Sequence, residues 1–516
     1  MKVADAATGN VAASRQYSHW LFRLLALLAG MLPLVLLELI CRFYGWGRVD
    51  PAIDPFVGFA STSHLFEPDP SGQFLRTVAA REKFFRSVEF PVRKSAEEFR
   101  IFVFGGSTVQ GRPWSIETSF PAFLEAVLSQ AQPQTTWKVI NCGGVSYASY
   151  RLLPIIEECT AYHPDLFILC TGQNEFLEDT SWSGRRQMAP ILQPFVRLLT
   201  RLHFIRAAVR VGQQAHETPQ TRPVLPAEVL TRLDQSNGLE RFQRDDRQAG
   251  HVHQHFAHNL NRIAELCSRQ KIPLLLIRPP VNLSDCPPFK SEFSGELQNI
   301  TAAQILEQLR AAQTLAATDR AAAIQLAENC VRTDPRSAIS WYELGQLQLL
   351  DHRYEQAAAS LQQAVNEDLC PLRMTSQLEQ QLQSVARSSG IPLLNAHELL
   401  AQQSRGGIPG GGMMVDHVHP SFRGHEEIAL MIFRWMQDAG HLQLSEKVSE
   451  EPLRQVCRDI VQSLDDSYYL KGLRTLQSLK LWAAGRAFEP ILVDPENESA
   501  AQNRESPPAS NDSASK

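Results

Sequence analysis

No two cysteines in this chain are spaced as C-x-x-C, and none stands at zinc-ligand spacing from a histidine. The nine cysteines are scattered, which leaves no metal or dithiol motif to read and assigns no disulfide. Cys142 and Cys170 lie inside apolar, strand-like runs and read as small buried hydrophobes. Charge of one sign is missing too. A formal net charge of −5 over 516 residues gives nucleic acid nothing to attract it. Apolar material is plentiful, at 44% of the chain, enough for a sizeable core, and the length calls for two or three folded units.

Only one stretch goes long without charge. Leu24–Leu37 has fourteen uncharged residues, which is short for a membrane span. Trp20–Cys41 reaches ~22 residues if Arg23 and Glu38 lie near the two interfaces. Trp20, Phe43, Tyr44 and Trp46 would then form the aromatic belts. A cleaved signal peptide is the rival, but no small-x-small site follows the apolar run. The expectation is an uncleaved signal anchor over 19–44, with 1–18 in the cytoplasm beside Lys2, Arg15 and Arg23. Arg42 and Arg48, beyond the span, weaken that bias. The rest of the chain would lie on the periplasmic or cell-surface side.

The stretch that organises the remainder is Arg100–Gln110, RIFVFGGSTVQ. Ile101–Phe104 reads as a buried parallel strand. Gly105 and Gly106 permit a tight exit, and Ser107 then falls at the strand's carboxyl end, where open α/β sheets keep their sites. Lys138–Ser149 is a second strand with a glycine-rich turn, and Asp165–Glu175 is a third with Asn174 at its tip. Far downstream, VDHVHPS places Asp416 and His419 three residues apart.

Taken together, these segments resemble the SGNH (GDSL-like) hydrolase family. Ser107 matches its block I serine, Gly143-Gly144 its block II turn, Asn174 its block III, and Asp416-x-x-His419-Pro420 its block V. The resemblance covers roughly 100–290 and 375–440. It implies an α/β fold with a doubly wound, mostly parallel sheet (a flavodoxin-like three-layer sandwich) and carboxylic ester hydrolysis without metal or organic cofactor. A serine hydroxyl needs a base to take its proton. His419 fits that task, Asp416 would orient the ring, and Pro420 restricts the histidine to extended backbone. The resemblance assigns the oxyanion donors to Ser107, Gly144 and Asn174. Two departures stand out. Gly106 replaces the family's aspartate before the serine, and Ser146 holds the usual block II glycine position. Glu175 replaces the aspartate after Asn174 and receives no catalytic role.

Around these blocks the chain divides into a connecting subdomain (45–98), a hydrolase domain in two parts (99–292 and 375–440), C-terminal helices (441–486) and a disordered tail (487–516). Phe120–Leu128, Tyr150–Ala161, Leu378–Ser388 and Phe422–Ala439 read as helices; Ile272–Arg278 and Ile391–Asn395 read as further strands. Ser181–Ala215 has six arginines and no acidic residue. It reads as a solvated helix packed over the domain, a membrane-surface helix, or a lid. His251, His253, His255 and His258 read as helix surface rather than a metal site. The loop from Pro279 to Phe293 is expected to line the substrate cleft, and Gly406–Gly412 to form a flexible loop able to close over substrate. Between the two parts, 293–374 turns Ala-, Gln- and Leu-rich with a 34-residue period: Ala323, Ala327 and Cys330 recur as Ala357, Leu361 and Ala364. This resembles an all-α, tetratricopeptide-like insertion braced on the hydrolase domain, with a plain helical hairpin as the alternative.

The expected function is a membrane-anchored serine ester hydrolase acting on an acylated glycan or lipid-like ester, with a protein partner on the insertion and no nucleic acid. The alternatives are an O-acetyltransferase acting on a glycan and an inactive scaffold.

Overall fold

The computed structural model describes residues 8–44, 46, 61–178, 202–204, 207, 224–225, 228–235, 238–294, 299–442 and 448–485. The chain forms two compact units, Met1–Ser61 with Thr180–Leu225 and Thr62–Asp179 with Pro226–Lys516. In the first, α1 (Thr8–Tyr44) contains Leu25–Tyr44, a stretch long and apolar enough to cross a membrane. Its Leu32, Leu36 and Phe43 are exposed. Most of the arginine-rich stretch 181–215 lies outside the described residues, so the lid expectation does too.

The second unit begins where the connecting subdomain was expected, with an antiparallel meander of β1 (Phe66–Pro68), β2 (Phe74–Thr77) and β3 (Glu89–Pro91). The central sheet follows: β4 (Glu98–Gly105), β5 (Thr136–Gly143), β6 (Leu166–Cys170), β7 (Leu274–Arg278) and β8 (Leu393–Asn395). All pairs are parallel, in the order β8-β7-β6-β4-β5. The chain therefore reverses its direction of winding between β4 and β6, the switch point where such sheets open a crevice.

Both faces of the sheet are covered, which is why its strands read as unbroken apolar runs. Ile101, Val103, Leu166, Ile168, Leu275 and Ile277 point to one core, while Phe102, Phe104, Phe167, Leu169, Leu274 and Leu276 point to the other. After β4 comes the single turn α2 (Ser107–Gln110), followed by α3 (Phe120–Ala131) and α4 (Ser149–Cys159). The long α5 (Asp246–Gln270) leads into β7. On α5, His255 is buried and stacks on Tyr150 at 5.3 Å, and His253 meets the Phe176 ring edge-on. This departs from the solvated helix face expected for the histidine cluster: α5 packs against α4, so the face carrying His255 turns inward.

Four helices fill 299–367: α6 (Asn299–Leu315), α7 (Arg320–Thr333), α8 (Ala338–Leu350) and α9 (Tyr354–Glu367). The periodic residues Ala323, Ala327 and Cys330 on α7, and Ala357, Leu361 and Ala364 on α9, are all buried. Gly345 lets α8 and α9 approach closely, since a Cβ there would sit 2.6 Å from Leu361 Cγ. The helices are tied to the sheet domain: Tyr342 Oη donates to the Ser284 carbonyl at 3.2 Å, and Arg244 pairs with Glu367 at 2.8 Å. Then α10 (Ser376–Ser389), α11 (Ala396–Gln402) and α12 (Phe422–Asp438) complete the sandwich. With α3, α12 covers one face; α4, α5 and α10 cover the other. Two last helices follow, α13 (Glu450–Gln462) and α14 (Asp466–Ala483).

In register, Gly105 is flanked by Gly143 and Cys170. A Cβ at Gly105 would lie 2.3 Å from the Cys170 carbonyl and from Val109 Cγ2; one at Gly143 would lie 2.3 Å from Gln110 N. The α2 turn folds back onto the strand tips only because neither residue has a side chain. Gly105→Ala is therefore expected to destabilise the chain by about 1–3 kcal/mol, seen as a lowered thermal midpoint by near-UV circular dichroism. An unchanged midpoint would contradict this packing.

Candidate active site

Ser107 opens the α2 turn directly after β4, so its backbone N–H has no partner within the helix. Its hydroxyl lies 2.8 Å from His419 Nε2, and His419 Nδ1 lies 2.6 Å from Asp416 Oδ2. The three residues thus form one hydrogen-bonded chain. The histidine's segment is a tight hairpin: Val415 N–H donates to the His419 carbonyl at 2.9 Å, and Ser421 N–H donates to the Met413 carbonyl at 2.9 Å. Asp416 Oδ1 accepts the Val418 and His419 N–H groups at 3.0 and 2.8 Å. Burial opposes ionisation of Asp416, but its electrostatic interactions with His419 and His417 and these hydrogen bonds outweigh it. The carboxyl is held well below the usual carboxylate range.

The hairpin is braced from two sides. Thr108 Oγ1 donates to the Val418 carbonyl at 3.2 Å and accepts from Gln173 Nε2 at 3.1 Å, tying the Ser107 turn to the histidine segment and to the tip of β6. From behind, Asn282 Nδ2 donates to the Asp416 carbonyl at 3.0 Å, and Asn282 N–H to the His417 carbonyl at 3.1 Å. Arg373 fixes that loop in turn through the carbonyls of Asn282 and Cys286 at 3.1 and 2.6 Å. The loop after β7 is therefore a brace and not a wall of the cleft, because its polar groups turn toward the histidine hairpin. The glycine loop 406–412 is also pinned, with Leu283 N–H bonded to the Pro409 carbonyl at 3.0 Å and Gly406 packed on the Tyr354 ring. It anchors the hairpin in place of the mobile cover expected.

Asn174 Nδ2 donates one hydrogen to the Tyr147 carbonyl at 3.1 Å, and among the described residues the other is uncommitted. A Cβ at position 106 would stand 2.5 Å from this nitrogen, so Gly106 is what allows the amide to lie beside the serine. Glu175 accepts Ser149 N–H and Oγ–H, both at 2.9 Å, and so holds the start of α4. Burial raises its carboxyl against those two bonds.

Gly144 corrects an expectation. Its N–H is committed to the Gly105 carbonyl at 2.9 Å and is not free for an oxyanion. Two residues on, Ser146 lies on the cavity wall in left-handed backbone (φ 62°), a conformation that favours glycine. Its N–H has no hydrogen-bond partner among the described residues. The shift of this turn was visible in the sequence as a serine at the usual glycine position; the direction of its N–H was not.

Ser107, His419, Asn174 and Ser146 open onto a cavity of about 350 Å³, within the ordinary range for small-molecule sites. Arg112, Leu177, Val229 and Leu372 line it as well. So do Thr475, Ser478, Leu479, Leu481 and Trp482, all in the second half of α14. Sequence reasoning missed this wall. Helix α14 is held by Tyr468 Oη, which accepts Ser115 N–H at 3.1 Å, and by Trp482 Nε1, which donates to Asp234 Oδ1 at 3.0 Å. Gly472 makes room for Trp114, whose ring a Cβ would strike. Among the described residues no cluster of His, Cys, Asp or Glu is arranged as a metal site.

The chain matches no protein-family model, and no curated protein matches it in sequence. Solved structures similar to it include an acetylxylan esterase from Geobacillus stearothermophilus (12% identity, TM-score 0.30, covering 68% of this chain and 98% of that one). Others are a lipase/acylhydrolase from Enterococcus faecalis (12%, 0.30, 68% and 100%) and an α/β hydrolase from the metagenome of Lake Arreo, Spain (11%, 0.29, 68% and 97%). Likeness at this level carries no weight for the chemistry, which rests on the geometry above.

Two histidines beside the site predict a pH dependence. His417 contacts Asp416 at 3.6 Å, yet burial pushes its imidazole down to about 4, so the contact is no ion pair at neutral pH. Burial likewise takes His425, which accepts Phe120 N–H, down to about 3. In the unfolded chain both take up protons below about pH 6.5. The unfolded state then binds more protons, so stability falls as pH drops from about 6.5 toward 4. In His425→Gln, whose amide oxygen can still accept the Phe120 N–H, the drop in urea midpoint between about pH 7 and pH 5 should shrink. A drop as large as in the parent chain would contradict this assignment.

Proposed function

We propose that this chain is an SGNH-type serine esterase that hydrolyses a carboxylic ester through an acyl-serine intermediate. The observation that carries this reading is the unbroken hydrogen-bonded chain Ser107–His419–Asp416 opening onto a cavity. In this reading Ser107 Oγ attacks the ester carbonyl while His419 Nε2 takes its proton. Asp416 keeps the ring in the tautomer with its proton on Nδ1 and stabilises the imidazolium. The tetrahedral oxyanion is met by Ser107 N–H, the uncommitted Asn174 amide hydrogen and the Ser146 N–H in place of Gly144. Collapse expels the alkoxide, which takes the proton back from His419. Water, deprotonated by the same imidazole, then releases the acid.

Beyond the site, the proposal places the catalytic unit outside the cytoplasm, anchored through 19–44, with the tetratricopeptide-like insertion as a surface for a protein partner. The apolar stretch Leu25–Tyr44 and the shared 34-residue period of α7 and α9 support these two points.

The test is kcat/KM for p-nitrophenyl acetate. Ser107→Ala and His419→Ala should each lose about four orders of magnitude or more, and Asn174→Ala about 10²–10³. A well-folded Ser107→Ala within tenfold of the parent would contradict the proposal.

A further inference from the structure

Deepening that esterase reading and resting on it, we infer that Arg112 makes the site selective for esters bearing an anionic group, a carboxylate or a phosphate, close to the scissile bond. Arg112 closes the turn that begins with the nucleophile: its backbone N–H donates to the Ser107 carbonyl at 3.1 Å. Its side chain lines the same cavity as Ser107, His419, Ser146 and Asn174. Among the described residues its guanidinium makes no hydrogen bond and no ion pair, and its Nε is sealed from solvent without an acceptor.

A sealed Nε is shared by Arg81, Arg278 and Arg373, but those buried arginines are held at their other nitrogens, whereas the half-buried Arg112 is held at none. Arg100 is held by Glu98 at 2.6 Å and by the Tyr162 and Pro91 carbonyls; Arg151 is held by Glu178 at 2.6 Å; Arg373 has Asp368 and three carbonyls. A guanidinium with its fork unused is the geometry that takes a carboxylate or phosphate in a bidentate pair.

No carboxylate of the site is free to serve instead. Asp234, on the same cavity wall, is taken up by Thr231 and Trp482. Asp416 is taken up by His419 and two backbone N–H groups. Arg86 adds a second positive charge nearby and the Asp416 carboxylate a negative one that offsets it in part; burial and Arg86 lower the Arg112 guanidinium only to about 10, so it stays charged at neutral pH. A desolvated cation without a partner is costly to hold. A substrate anion supplies the missing partner and is drawn to the one place where it lies against the reacting serine.

A matched series of phenyl esters tests this on the full chain. Phenyl acetate is the neutral reference. Phenyl hydrogen succinate carries a carboxylate on the acyl side, 4-acetoxybenzoate one on the alcohol side, and 4-acetoxyphenyl phosphate a phosphate there. Expected is a kcat/KM for at least one anionic ester about tenfold or more above phenyl acetate, with the identity of that ester locating and typing the anion. Arg112→Gln should lower kcat/KM for that ester at least about tenfold more than for phenyl acetate, mainly through KM, and Arg112→Lys should restore part of the difference.

The inference is overturned if phenyl acetate is preferred over all three. It is also overturned if Arg112→Gln lowers all four esters alike, as a merely structural residue would, or leaves their ratios unchanged. Fluorophosphonate labelling separates the two levels. A labelled chain without anion preference overturns the role of Arg112 alone. A chain that neither labels nor hydrolyses any of the esters overturns the esterase reading and this inference with it.

Discussion

The hydrogen bond between Ser107 Oγ and His419 Nε2 joins residues 312 positions apart, and the rest of the domain is arranged to hold it at 2.8 Å. Neither partner can be placed by its own segment. Ser107 depends on β4 ending between β5 and β6, with glycines at both tips so that the α2 turn can lie flat against them. His419 depends on a nine-residue hairpin whose carbonyls and N–H groups are taken up by Thr108, Asn282 and the Asp416 carboxylate. Each such bond contributes only about 1 kcal/mol to stability. Their joint effect is positional: they leave the imidazole one orientation, which a proton-transfer partner needs.

Much of this was legible in the sequence, for a physical reason. Parallel strands buried on both faces write themselves as continuous apolar runs, so strands could be read at Ile101–Phe104 and Ile272–Arg278, the latter starting two residues before the observed Leu274–Arg278. The side chains that make the hydrogen-bonded chain are polar residues at strand tips and in a short D-x-x-H-P segment, where nothing else explains them. What was not legible depends on contacts between distant segments. The donation of Gly144 N–H to Gly105 is set by strand register. The inward turn of the loop after β7 follows from the side chain of Asn282 meeting the Asp416 carbonyl, more than a hundred residues on. The histidines of α5 looked solvated because the period of one helix does not reveal a second helix packed across it.

The wall formed by α14 shows the same limit from another side. Its sequence is only modestly amphipathic, and nothing in Thr475, Ser478 or Trp482 by itself points to a cavity. The helix is placed by partners far away in the chain, namely Ser115, Thr118 and Asp234. The pocket is therefore a property of the completed chain: the strand tips supply Ser107 and Asn174, and the last described helix supplies much of the enclosure. Helices α6–α9 of the insertion do not line the cavity, although Leu372 after them does; they bear on the site through Ser284 and the Asn282 loop that braces the histidine hairpin.

The central claim is that Ser107 is an activated nucleophile and that its activation comes from His419. The most direct measurement is the mass-spectrometric mapping of a fluorophosphonate adduct on the full chain, beside His419→Ala. The account predicts a single adduct on the peptide containing Ser107, formed in the parent and lost in the variant. An adduct at another residue, equal labelling in His419→Ala, or no adduct on a well-folded chain would contradict it.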